Sequence, residues 1–149
     1  MQSISWYYPL LCVLLFAAEE LYFRIADKCN IIDRPNERSS HTRITLRGGG
    51  IIFWVGVFLS FLFHPLQWSE YGCFFAGLTL ICAISFWDDV RGVRQLPRLA
   101  VHLVAMLLLF FQWHLFGGEP WWYIVIALFF CMGTINAYNF MDGINGITG

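Results

Sequence analysis

Five long apolar segments constrain the fold of this chain more than any other feature of its sequence. Each contains roughly 16–21 residues, and a helix of about 20 apolar residues spans the hydrocarbon layer of a membrane. The segments are continuous rather than alternating, and they are about twice as long as the strands of a membrane barrel. They cover residues 6–26, 49–64, 71–87, 99–116 and 121–138. The sequence therefore predicts an all-α, polytopic transmembrane helical bundle, with five helices in one integral membrane domain over residues 1–149.

Composition supports a membrane protein that works in the lipid bilayer. Hydrophobic residues make up 58% of the chain and charged residues 13%, whereas about a quarter of the residues in a soluble domain are charged. The net charge of −1 gives no indication of a nucleic-acid partner. The five cysteines show no CxxC spacing, which favours structural thiols over a zinc site or a disulfide framework.

The positions of the basic residues predict how the helices are oriented. Six of the nine lysines and arginines lie within residues 24–47, and the other three lie within residues 91–98. By the positive-inside rule, the loops 27–48 and 88–98 face the cytoplasm and the N-terminus lies outside. The fifth helix then delivers residues 139–149 to the cytoplasmic face. We therefore expect an inner, cytoplasmic membrane location with any active face toward the cytoplasm.

A pair of carboxylates follows the third apolar segment in the sequence "WDDVRG". Asp88 and Asp89 repel one another unless a cation, a proton or an arginine intervenes. Mg²⁺ prefers oxygen ligands and usually takes one or two carboxylates together with phosphate oxygens. The alternative is an interfacial charge patch in which the pair is neutralised by Arg91 or Arg94.

A second polar stretch, "NAYNFMDGINGITG", closes the fifth segment. Its oxygen-bearing side chains recur every three residues, so that on a helical turn they lie near one face. They are Asn136, Asn139, Asp142 and Asn145. An ordinary polar loop that ends a helix is the alternative explanation.

The first loop reads "IIDRPNERSSHTRITLRGGG" and is rich in arginine. Arginine suits bidentate recognition of phosphate, which makes Arg38, His41 and Arg47 candidates for substrate binding. A positive-inside bias alone would also place arginines here, and His41 carries no signal by itself. Residues 48–50, three glycines, open the second helix, where they favour either anion binding by free N–H groups or close helix packing.

Carboxylates and amides for a metal, and arginines for phosphates, thus converge on one face of a helical bundle. This combination indicates phosphoryl transfer to or from a lipid. The alternative is a non-catalytic membrane module, either a transporter fragment or a scaffold of a polysaccharide export complex.

The three stretches quoted above, in this order and on these loops, resemble the polyprenyl-phosphate N-acetylhexosamine-1-phosphate transferases of the MraY/WecA type, glycosyltransferase family 4. The branch that primes O-antigen and other surface polysaccharides is the more similar. The resemblance implies transfer of a HexNAc-1-phosphate from a UDP-N-acetylhexosamine to undecaprenyl phosphate with release of UMP. It also implies that the enzyme uses Mg²⁺, for which Mn²⁺ can substitute. Full-length members of the family have about ten helices, and the architecture is compatible with a homodimer.

The resemblance also implies roles for individual residues. Asp88 and Asp89 match the family's aspartate pair, and Asn139 and Asp142 match its nucleotide- and metal-contacting stretch. Arg98 matches a basic residue that meets phosphate. The implied catalytic residues are Asp88, Asp89 and Asp142; the implied metal ligands are Asp88, Asn139 and Asp142; the implied substrate or phosphate contacts are Arg38, His41, Arg47, Arg98, Asn136 and Asn145.

The sequence departs from the family pattern at several positions. Asn145 stands where many members have a second aspartate, and Ile44 and Leu46 replace prolines often found before "RGGG". The family's later cytoplasmic loops, with a further aspartate and a His-rich segment, are not present in these 149 residues. We therefore expect the chain to be the N-terminal half of an enzyme and to be inactive alone.

Overall fold

The computed structural model describes residues 6–33, 45–64 and 67–141. Within these ranges the chain is helical apart from short connections and one antiparallel pair of two-residue strands, so the all-α prediction is confirmed. The helices are α1 (Tyr7–Lys28), α2 (Ile51–Phe63), α3 (Gln67–Arg91), α4 (Gln95–Gln112), α5 (Leu115–Gly118) and α6 (Trp121–Met141). The strands are β1 (Ile32–Asp33) and β2 (Thr45–Leu46).

The structure divides one apolar segment between two helices, where the hydropathy pattern predicts a single helix. Hydropathy predicts a single helix over residues 99–116, whereas α4 begins at Gln95 and ends at Gln112. His114 adopts a left-handed backbone conformation with φ of 54°, which an α-helix cannot continue through. The four-residue helix α5 follows it and leads into Pro120 and α6. The described chain therefore contains six helices, one of them a single turn.

The long helices pack in the order in which they occur along the chain. α1 packs on α2, α2 on α3, α3 on α4 and α4 on α6, and the α3–α4 contact is the most extensive. Short connections make α2, α3 and α4 antiparallel to their sequence neighbours, and the pairing of β1 with β2 brings the end of α1 to the start of α2. As a result, α1 and α3 end where α2 and α4 begin. We call this the polar end of the bundle.

Within the described residues, three helices are long and apolar enough to cross a membrane. They span Trp68–Arg91, Gln95–Gln112 and Trp121–Tyr138. α2 is also apolar, but its 13 residues rise only about 20 Å, less than the roughly 30 Å of a hydrocarbon layer. Large apolar side chains such as Phe53 and Phe129 are more than three-quarters exposed on the sides of the bundle. This is the surface expected of a membrane-embedded protein, whose apolar faces meet lipid or other helices rather than water.

Aromatic rings join α2 to α3 at their mid-region. Trp54 stacks on Phe58 at a centroid distance of 5.2 Å, and both rings stack against Phe75 of α3. The indole Nε1 of Trp54 donates to the Thr79 hydroxyl at 2.9 Å, which in turn donates to the Phe75 carbonyl. Each polar atom of this cluster that lies among apolar groups thus has a partner, as a membrane environment requires.

α3 and α4 approach one another closely enough to need small residues. A methyl group added to Gly77 of α3 would lie 3.1 Å from the carbonyl oxygen of Ala105. Ala105 is 1% exposed, and His102, one turn earlier on the same face of α4, is 3% exposed. Small residues at a crossing let two helix backbones meet, and this packing is a main source of helix association in lipid.

Candidate active site at the polar end

The Asp88 carboxylate holds the turn between α3 and α4. Its Oδ1 accepts a hydrogen bond from the Val93 N–H at 2.7 Å, and its Oδ2 accepts one from Arg98 Nη1 at 2.8 Å. The side chains of Arg98 and Asp88 are 20% and 26% exposed. Sequence reasoning left Arg91 or Arg94 as the neutralising partner, whereas the structure assigns this contact to Arg98 on the first turns of α4.

The backbone of this turn explains the glycine of "WDDVRG". Gly92 donates its N–H to the Asp88 carbonyl at 2.8 Å, which completes the last helical hydrogen bond of α3. Its φ of 69° is left-handed, a conformation that glycine adopts without steric cost and that commonly ends a helix. The chain then reverses so that the Val93 N–H points back to Asp88. Backbone and carboxylate therefore close the same turn together.

Asp89 occupies a different environment from its neighbour. It is exposed, and it lines a cavity of about 140 Å³ on the side of α3 that faces α2. Other lining residues include Gly48 and Gly50 before α2, and Cys82 and Ser85 of α3. The carboxylate also lies near enough to the Tyr22 hydroxyl of α1 for the two groups to interact electrostatically. Asp89 is therefore the acidic group of a small and mostly apolar cavity.

The glycine run before α2 serves close packing. Gly48 has a left-handed φ of 77°, and a methyl group there would overlap the Tyr22 hydroxyl and lie 3.1 Å from the Phe86 ring. The Tyr22 hydroxyl donates to the Arg47 carbonyl oxygen. Tyr22 and Phe86 were not singled out from the sequence, since an aromatic residue in an apolar helix gives no sign of its partner.

The first amides of α2 are not available to bind an anion. The N–H groups of Ile51, Ile52 and Phe53 donate to the carbonyls of residues 48, 49 and 50 at 3.1–3.2 Å. These bonds tighten the helix start and satisfy donors that would otherwise be free. Of the two explanations that the glycine run allowed, the structure favours close packing over an anion site.

Some of the remaining candidates lie within the described residues and others lie outside them. Arg47 follows β2, and its N–H donates to the Ile31 carbonyl at 3.1 Å. Asn136 is half-buried on α6, a helix that packs mainly on α4 and α5. Asn139 lies in the last turn of α6, but its side chain falls outside the described residues. Arg38, His41, Asp142 and Asn145 fall outside them altogether.

The described residues bring together part of the predicted site. Asp88 and Arg98 are in direct contact, and Asp89 lies beside the glycine turn that follows Arg47. Across residues 6–33, 45–64 and 67–141, no three His, Cys, Asp or Glu side chains are placed to hold a metal ion. The two carboxylates of "WDDVRG" thus meet different neighbours of α3: Asp88 contacts α4, and Asp89 lines the cavity before α2.

Comparison with known proteins adds an independent line of evidence. Residues 71–149 match the family described as Glycosyl transferase family 4. An undecaprenyl-phosphate alpha-N-acetylglucosaminyl 1-phosphate transferase of Yersinia pestis is 31% identical, over 94% of this chain and 42% of that protein. The proteins of the same name in Escherichia coli (strain K12) and Salmonella typhi are each 29% identical with the same coverage. The chain thus spans 42% of the length of these curated relatives. No solved structure matches it.

Proposed function

Because this chain belongs to glycosyl transferase family 4, we propose that the intact protein transfers a HexNAc-1-phosphate from a UDP-sugar to undecaprenyl phosphate and releases UMP. N-acetylglucosamine is the first sugar to test, since the relatives are named as N-acetylglucosaminyl 1-phosphate transferases. The observation that carries the proposal is the carboxylate pair on the last turn of α3. Asp88 forms an ion pair with Arg98, and Asp89 lines a cavity beside the glycine turn.

We place the reaction at the cytoplasmic surface of the inner membrane. The basic residues concentrate at the polar end and its connecting loops, which the positive-inside rule assigns to the cytoplasm. UDP-sugars are made in the cytoplasm, and a lipid phosphate headgroup lies at the membrane surface. Asp88 and Asp89, at the end of a membrane-spanning helix, are at the depth where the two substrates would meet.

The transfer exchanges one phosphorus–oxygen bond for another. An oxygen of the lipid phosphate attacks the β-phosphorus of the UDP-sugar, and a new bond forms between them. The bond from that phosphorus to the bridging oxygen breaks, and UMP leaves with the electron pair. A phosphate monoester has a second pKa near about 6, so the lipid phosphate is mostly dianionic at neutral pH. Asp89 therefore contributes by orienting reacting groups more than by removing a proton.

The donor set is compatible with a magnesium ion. Carboxylate and amide oxygens are the ligands that Mg²⁺ prefers, and one or both aspartates of the pair would hold it together with Asn139 and Asp142. Mn²⁺ would substitute because it accepts the same oxygen ligands. When bound, the ion supplies charge neutralisation of the pyrophosphate. Arg47 and Asn136, with Arg38, His41 and Asn145, remain candidates for substrate contacts.

The direct test is release of UMP from UDP-GlcNAc by the purified intact protein, with undecaprenyl phosphate and Mg²⁺. We expect turnover that requires both the lipid phosphate and the metal, and that EDTA abolishes. Asp89→Asn should lower kcat by about 100-fold or more between pH 6 and pH 8, because a neutral amide cannot replace a carboxylate that faces the reacting groups.

A matched control is Glu119→Gln, which removes an exposed carboxylate from the connection between α5 and α6, far from the polar end. It should leave turnover within about twofold of the wild type. Failure of a folded protein to release UMP from any of several UDP-N-acetylhexosamines would refute the transferase and favour a non-catalytic module. Wild-type turnover by Asp89→Asn would remove Asp89 from the reaction.

A further inference from the structure

We infer that the two aspartates of "WDDVRG" do different work: Asp88 is a positioning residue paired with Arg98, and Asp89 alone faces the ligands. This inference rests on the proposed function. It changes two roles that the family resemblance implies, since Asp88 would not be a metal ligand and Arg98 would not be a phosphate contact.

The first argument is the helical geometry of α3. Consecutive residues on an α-helix point about 100° apart, and α3 lies between α4 on one side and α2 on the other. Asp88 reaches α4, where Arg98 binds it, while Asp89 reaches the cavity in front of α2. Two carboxylates that diverge in this way do not form one bidentate site.

The second argument is that both oxygens of Asp88 are already engaged. Oδ1 accepts from the Val93 N–H at 2.7 Å and Oδ2 accepts from Arg98 at 2.8 Å. Charge-assisted hydrogen bonds of this length are among the stronger ones in proteins. A cation at Asp88 would have to compete with a guanidinium in direct contact, and the two positive charges would repel one another.

The third argument is what the Asp88 contacts hold in place. They fix the turn at Gly92 and Val93 and the first turns of α4, and they do so one residue away from Asp89. Asp88 is therefore placed to fix the orientation of the Asp89 side chain at the end of α3. Arg98 acts through Asp88, because its guanidinium holds a partly buried carboxylate in one orientation.

A double-mutant cycle on the intact protein tests this division. Asp88→Asn and Arg98→Gln should each lower kcat by about tenfold or more, and the loss in the double variant should be well below the product of the two single losses, because both remove the same contact. Binding of Mn²⁺, followed by electron paramagnetic resonance, should weaken equally in these three variants. It should weaken by about tenfold more in Asp89→Asn, which removes the ligand-facing carboxylate.

Charge reversal separates positioning from metal ligation. In the pair Asp88→Arg with Arg98→Asp, an arginine at position 88 cannot bind a cation but can restore the salt bridge. We expect the double reversal to recover at least about tenfold in kcat over either single reversal. Multiplicative losses in the first cycle, or Mn²⁺ binding that depends on Asp88 more than on Arg98, would overturn the inference.

The same variants distinguish failure of this inference from failure of the proposed function. If the wild type releases no UMP from any donor, the transferase proposal fails. Thermal unfolding of the same variants then still shows whether Asp88 and Arg98 stabilise the protein through their mutual contact. Asp88→Asn and Arg98→Gln should each lower Tm, and the double variant should lower it by less than the sum of the two single decreases, because both substitutions remove the same contact. Additive decreases in Tm would contradict the inference.

Discussion

The two sides of α4 meet their neighbours in different ways. Toward α3, α4 contributes an ion pair at the polar end, a close backbone crossing at Ala105, and the Gln112 side chain at the far end. Toward α6 there is an open groove of about 520 Å³. Its lining is apolar throughout and includes Leu99 and Leu103 of α4 and Phe129 of α6.

This difference follows from what drives helix association in a membrane. Lipid tails are as apolar as leucine, so an apolar groove filled with lipid gains little when protein fills it instead. Close backbone packing and satisfied polar groups do distinguish protein from lipid. The α3–α4 pair has both, and it carries Asp88, Asp89 and Arg98. The support of the candidate site is therefore built from the contacts that hold best in lipid.

A first test of the contrast between the two sides of α4 is a substitution that prevents the close packing of α3 against α4. Gly77→Leu would place a branched side chain where a single methyl group already meets the Ala105 carbonyl at 3.1 Å. We expect a loss of about 3 kcal/mol in the free energy of unfolding, because the obstacle is backbone that cannot rotate away. Unfolding of the intact protein in mixed micelles, followed by circular dichroism, measures this loss.

Gly72→Leu is the matched control, since Gly72 lies on the same helix and has open space around its Cα. It should be neutral or slightly stabilising, because leucine favours a helix more than glycine does. Equal losses in Gly72→Leu and Gly77→Leu would mean that the α3–α4 crossing is not specially tight.

The sequence predicted the helical fold and the concentration of charged residues at the polar end, but not the pairing of side chains across helices. Long apolar segments predict membrane helices because lipid excludes unpaired backbone polar groups. In contrast, charge alone indicated Arg91 or Arg94 as the partner of the carboxylates. The left-handed turn at Gly92 reverses the chain and brings Arg98 of α4 onto Asp88 instead. Tyr22, whose hydroxyl meets the Arg47 carbonyl, gave no sequence signal at all.

A second test of the contrast between the two sides of α4 concerns the end of the α3–α4 pair that is opposite the polar end. Tyr71, with φ of −123° and ψ of 22°, interrupts the helical backbone of α3 and leaves polar groups without helical partners. The Gln112 amide supplies both partners: its Oε1 accepts from the Cys73 N–H at 3.0 Å, and its Nε2 donates to the Glu70 carbonyl. Gln112→Leu should cost about 1–2 kcal/mol, since two backbone groups lose their hydrogen bonds.

Hydrogen exchange sharpens the Gln112 prediction because it reports on the affected amide. The Cys73 N–H should exchange faster in Gln112→Leu, while amides near Thr79 should keep their protection. Gln95→Leu, an exposed glutamine at the first position of α4, is the control and should change neither stability nor exchange near Cys73. Unchanged exchange at Cys73 in Gln112→Leu would show that water or lipid headgroups form hydrogen bonds to the backbone groups at the kink equally well.

The smallest effect is expected on the α6 side of α4. Ala100 lines the groove between α4 and α6, so Ala100→Leu adds apolar volume where lipid can be displaced without loss. The change in the free energy of unfolding should stay within about 0.5 kcal/mol. Ala105→Leu inserts the same side chain five residues along the same helix, at a position that is 1% exposed against α3, and should be far more damaging. Because helix, residue type and substitution are identical, the two variants differ only in the neighbour that the new side chain meets. If Ala100→Leu destabilised the intact protein as much as Ala105→Leu, the groove would be closed by protein rather than lipid, and the contrast between the two sides of α4 would not hold.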